Sequence, residues 1–104
     1  MNFEAAAEKS GMDVADLELL FEVFKTTAVE SMRELRGSIE ANDASLTRAA
    51  LHKIAGSTAS LFGLEDLNTC ARAAEREIIA GNPVDSDAIF TRLANLLKQA
   101  EIDV

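Results

Sequence analysis

Between Met12 and Ala41 the apolar residues Leu17, Phe21, Phe24, Ala28, Leu35 and Ile39 recur at spacings of three, four or seven, the repeat of an amphipathic helix. The longest helix of the chain is predicted there. Asp13 stands at its start as a capping acid, with Asp16 three residues on, and Asn42 with Asp43 favours chain reversal at the far end. Leu19 and Val23 add a second apolar stripe to the first half of this helix, which needs a cover. The short segment from Phe3 to Glu8, read as a brief helix, is expected to supply it.

The same spacing predicts three further helices. One runs from Ala44 to about Phe62, with Leu46, Ala50, Ile54 and Leu61 along its core face and Gly63 placed to end it. Another spans Glu65 to Ala80, with an apolar edge of Leu67, Cys70 or Ala71, Ala74 and Ile78, and is ended by Gly81, Asn82 and Pro83. The last begins at Asp85 or Ser86 and turns Ile89, Leu93, Leu96 or Leu97, and Ala100 inward. No strand-like alternation is visible. The expected fold is therefore all-α: an antiparallel up-and-down four-helix bundle over residues 12–102, with the short N-terminal helix laid across it.

A length of 104 residues suits one domain, spanning the whole chain, and is too short for two separate cores. A composition that is 48% apolar, with one Pro and five Gly, fits a packed helical protein rather than a disordered or turn-rich one. The formal net charge of -8 opposes binding to nucleic acid and to anionic membranes, both of which require clustered Lys and Arg. Cys70 is the only cysteine and has no partner for an internal disulfide; its position on the third helix suits core packing rather than redox chemistry. With no signal peptide and no apolar run of membrane-spanning length, the expected location is the cytoplasm, and the expected state a monomer.

The one candidate for chemistry is the single histidine, His52. At about 100° per residue, the positions near its direction on the helix are Ser45, Arg48, Ala49, Ala55, Gly56, Ala59 and Gly63, almost all small. Leu46, Ala50, Ile54, Ser57 and Leu61 lie on the opposite side, so burial of that side points the imidazole at solvent. A glycine within a helix costs about 1 kcal/mol relative to alanine, so Gly56 needs a reason, and clearing space beside the ring is one. Ala49, Ala55 and Ala59 extend the clearing into a smooth patch on which another protein could bring a bulky group to the imidazole. Arg48, one turn before, could offset negative charge on that group. An imidazole offers a nucleophilic nitrogen without a general base. Phosphoryl transfer asks mainly for positioning and charge neutralisation, and the chain has neither a Walker loop nor a carboxylate cluster for magnesium. Acids such as Glu65, Asp66 and Glu75 are read as solvated faces and helix-end charges.

The run His52, Lys53, Ile54, Ala55, Gly56, Ser57, Thr58 resembles the signature of histidine phosphotransfer domains: a histidine, two residues, a lysine, a glycine and two small residues. The resemblance implies that His52 is the phosphoacceptor, exchanging its phosphoryl group with aspartates of response-regulator receiver domains. It makes a hybrid histidine kinase a further partner, and it implies no cofactor on this chain, the magnesium being held by the receiver. Arg48, Lys53, Gly56, Ala49, Ala55, Ser57 and Ala59 are then the candidates for phosphate or docking support. Two features depart from the pattern. Ala55 stands where the lysine is usual, leaving Arg48 on the right face and Lys53 about 100° round the helix, from where it would have to reach back. The terminating Gly63 comes eleven residues after the histidine rather than ten, with Phe62 in the usual glycine position.

An acyl carrier protein is excluded by the absence of serine from Leu64-Glu65-Asp66-Leu67, the nearest text to its Asp-Ser-Leu site. A helical signalling adaptor that docks on receiver or kinase domains without phosphotransfer is the rival, supported only by Ala55. A phosphoacceptor domain from a larger kinase is a third reading, against which the initial Met and complete bundle suggest a free-standing carrier. One accessible histidine without acid, base or metal partners describes a phosphoryl carrier rather than a turnover enzyme.

Overall fold

The computed structural model describes the backbone of residues 1–104 and every side chain except those of Ser57 and Thr58. It contains six helical segments: α1 (Phe3–Ser10), α2 (Val14–Glu40), α3 (Ala44–Ile54), α4 (Ser57–Leu61), α5 (Glu65–Ile79) and α6 (Ser86–Gln99), and no strand. The 27 residues of α2 correspond to about 40 Å of helix, so this one element runs the 41 Å length of the molecule. The neighbours α2 with α3, α3 with α5, α5 with α6 and α6 with α2 close a four-helix ring.

Leu17, Phe21, Phe24, Ala28 and Leu35 of α2 are buried as their spacing predicts, and Ile39 is half-buried. They join Leu51, Leu67, Leu93, Leu97 and Ile102 in one continuous core. Phe62 supplies the third edge of an aromatic cluster: its ring lies 5.0 Å from Phe21 and 5.9 Å from Phe24, centroid to centroid. That burial is why an aromatic is accommodated where the signature has glycine, while the chain reversal passes to Gly63, whose φ of +74° suits a residue without Cβ. The α2–α6 edge is tied by Arg36, whose guanidinium lies 4.1 Å from the Phe90 ring centroid and 3.5 Å from Asp87.

Three expectations are corrected. Leu19 and Val23 stay 69% and 62% exposed, because α1 packs by Phe3 against Phe21 and Phe62 instead, at 5.5 Å and 6.4 Å. Leu46 is exposed rather than core; the buried face of α3 is Thr47, Ala50, Leu51 and Ile54. Thr47 is tolerated there because its hydroxyl lies 2.8 Å from the Asp43 carbonyl and 2.9 Å from Ser38 Oγ. Finally, Asp13 occupies the N-cap position of α2 without a side-chain capping bond, whereas Asp43 and Asp85 accept the Leu46 and Ala88 amides at 3.0 Å. No helix is long and apolar enough to cross a membrane among the described residues.

After α6 the chain turns through Glu101 at φ +65°, and the Ile102 amide is donated to the Leu97 carbonyl at 3.0 Å, which folds Ile102 into the core. Left-handed backbone costs a non-glycine residue about 1 kcal/mol or more. Glu101→Gly is expected to stabilise the protein by about 1 kcal/mol, read as a higher urea midpoint at unchanged slope.

Candidate functional site

The predicted helix from Ala44 to Phe62 is interrupted just after His52. Ala55 and Gly56 are extended, at φ -80°, ψ 103° and φ -150°, ψ 167°, so that α3 ends at Ile54 and α4 restarts at Ser57. In an unbroken helix the Gly56 N–H would be donated to the His52 carbonyl. Here it is donated to Asn68 Oδ1 of α5 at 2.8 Å, while Asn68 Nδ2 donates to the Gly56 carbonyl and to Ser60 Oγ, each at 2.8 Å. The amide is buried and its orientation follows from these partners, since only its oxygen can accept the N–H. A buried side chain thus replaces the helical bond that Gly56 gives up.

His52 lies on the last turn of α3 and keeps 76% of its side-chain surface exposed, whereas Glu75 beneath it keeps 14%. Glu75 Oε2 is 3.1 Å from His52 Nδ1. A carboxylate accepts but does not donate, so the contact places a proton on Nδ1, and in the neutral ring the lone pair is then on Nε2. The ring is oriented from below by a shielded acid, with its nucleophilic nitrogen available to solvent.

The other expected site residues divide. Arg48 and Ala49 are exposed on the same helix, and Arg48 makes no ion pair among the described residues. Lys53 is turned aside: its Nζ is 2.9 Å from Glu34 Oε2 on α2. Ala55 and Gly56 are half-buried in the break. Ala59 is fully buried, a correction to its expected place on the patch, because the break at Gly56 resets the rotation of the following turn. It lines a cleft of about 130 Å³ with Leu20, Val23, Phe24, Lys53 and Gly56. The Ser57 side chain lies outside the described residues. A Cβ added at Gly56 would meet nothing within 4 Å and its backbone is open to any residue, so nothing within this chain demands glycine there.

Residues 19–102 match the family model described as Hpt domain. The chain belongs to the Hpt domain family. No curated protein and no solved structure matches it. Hpt domains are helical phosphocarrier modules that serve histidine phosphotransfer in phosphorelays, where they interact with receiver domains and kinases. This Hpt domain has one histidine, and it is the residue whose ring geometry has just been described.

The sequence pattern does not distinguish Asn68, and it places Glu75 among the solvated acids, whereas the structure turns both toward α3. Their signal is spacing: seven residues apart, they lie on one stripe of α5 beside the buried Leu67, Ala71 and Ala74. Asn68→Ala would leave the Gly56 N–H and carbonyl without that partner. The variant is expected to lose about 2 kcal/mol of stability in urea and to show faster hydrogen exchange at the Gly56 amide.

Proposed function

We propose that His52 Nε2 accepts a phosphoryl group from the phosphorylated aspartate of one receiver domain and gives it to the aspartate of another. The observation that supports this most directly is the pairing of an exposed imidazole with a shielded carboxylate on Nδ1. In the forward step the Nε2 lone pair forms the N–P bond as the bond from phosphorus to the aspartyl oxygen breaks, and the aspartate leaves as carboxylate. The proton stays on Nδ1. The ring, neutral before, becomes a cation carrying the phosphoryl group, and Glu75 at 3.1 Å offsets the charge that develops. Return to a second receiver is the reverse of the same step, and each receiver brings its own magnesium.

Arg48 and Ala49, with the open space at Gly56, provide the surface against which the receiver seats its phosphorylated loop. Lys53 belongs to the rim of that surface through its pair with Glu34. The carrier is read as a cytoplasmic monomer acting as one domain.

The primary test is incubation with phosphorylated receivers from the same genome. Label is expected to move reversibly onto the wild-type chain and not onto His52→Gln; equal labelling of both, or transfer to neither from any receiver, overturns the reading and leaves the docking adaptor. Glu75→Gln removes the carboxylate charge and offers Nδ1 either a donor or an acceptor, so the tautomer is no longer fixed. Its transfer rate is expected to fall roughly tenfold or more with the fold retained. Gly56→Gln is expected to fold, since the added Cβ meets nothing, but to slow transfer by roughly a hundredfold by holding phosphorus away from Nε2. Circular dichroism and single-turnover transfer would check both.

A further inference from the structure

A phosphoryl group arriving at His52 brings concentrated negative charge to a chain whose net charge is already -8, and on the side of the ring toward Gly56 the histidine's own segment supplies no free cation, Arg48 lying one turn the other way. Ala55 is uncharged, and Lys53 is paired with Glu34 on the α2 side. The other edge of the site is α5, and there the spacing is informative. Asn68 reaches Gly56 and Glu75 reaches His52, so the stripe of α5 that contains both faces α3. Arg72 lies between them, four residues after the first and three before the second. At 100° per residue its direction is about 40° from Asn68 and about 60° from Glu75. At 1.5 Å per residue it stands about 4.5 Å along the axis from Glu75, on the side of Gly56. That puts it on the α5 edge of the site, at a level between His52 and Gly56.

Arg72 is exposed and makes no ion pair among the described residues, even though Glu75 is three residues away. Its guanidinium is therefore uncommitted, and its planar donors suit phosphoryl oxygens. Building on the transfer reading above, we propose that Arg72 is the catalytic cation of this site: it binds the phosphoryl oxygens as the N–P bond forms, from α5 rather than from the histidine's own helix. Arg48, on the opposite side of the ring along α3, has the lesser part. Glu75 and Arg72 then divide the new charges between them, the carboxylate serving the ring and the guanidinium the phosphoryl group.

Potassium phosphoramidate, which phosphorylates imidazole nitrogen by releasing ammonia, is a donor that needs no receiver and tests this directly. The rate of phosphohistidine formation on the full chain can be followed by phosphorus NMR for wild type, Arg72→Ala, Arg72→Lys, Arg48→Ala and His52→Gln. Arg72→Ala is expected to react roughly tenfold or more slowly than wild type, Arg72→Lys to recover part of the loss, and Arg48→Ala to lose less. Circular dichroism should show all of them folded, because the Arg72 side chain is exposed and unpaired. A wild-type rate in folded Arg72→Ala, or a larger loss in Arg48→Ala, overturns the assignment. Neither result touches the receiver-to-receiver reading, which fails separately if no phosphorylated receiver labels the wild-type chain.

Discussion

The packing of α5 against α3 is the constraint on which the site depends. A histidine near the end of a helix is ordinarily free to rotate, and the turn that follows it is free to fray. Here both are held from the neighbouring helix. Glu75 accepts a hydrogen bond from His52 Nδ1, and two turns away Asn68 pairs with both backbone groups of Gly56. Because the two side chains share one stripe of one rigid helix, the orientation of the ring and the shape of the chain after it are coupled. Leu67, Ala71 and Ala74, buried beside them, keep that stripe in place. The apolar core therefore sets the position of the polar contacts, and those contacts set the chemistry.

The division of exposure suits the proposed reaction. A carrier that presents its histidine to large partners needs the ring in solvent, yet exposed ion pairs are weak and poorly directed. The structure meets both demands by shielding the acid and exposing the imidazole. The carboxylate accepts from a single donor in a shielded place, while the nucleophilic nitrogen remains accessible. This suits phosphoryl transfer, which is dominated by positioning and charge neutralisation.

Departures from the histidine signature have different physical origins. Phe62 in place of glycine is a matter of core packing: its ring completes the cluster formed by Phe3, Phe21 and Phe24, and the reversal moves one residue along to Gly63. Ala55 in place of lysine is a matter of charge: it removes a cation from the histidine's own segment, while Arg72 of the neighbouring α5 makes no ion pair among the described residues.

The amino-acid sequence by itself determined the helices and the family. Apolar residues three and four apart specify an amphipathic helix wherever they fall, so α2, α5 and α6 were legible almost to the residue. The lone histidine followed by Gly56 was legible for the same reason: the information is local. Tertiary structure decided what locality could not carry. Whether the helix after His52 continues depended on Asn68, an acceptor twelve residues beyond Gly56. Whether Glu75 was a solvated acid or the partner of His52 depended on which stripe of α5 met α3. The same packing left Leu19, Val23 and Leu46 in solvent and drew Ala59 into the core, because burial is set by the neighbour a face meets, and spacing along one helix does not name that neighbour.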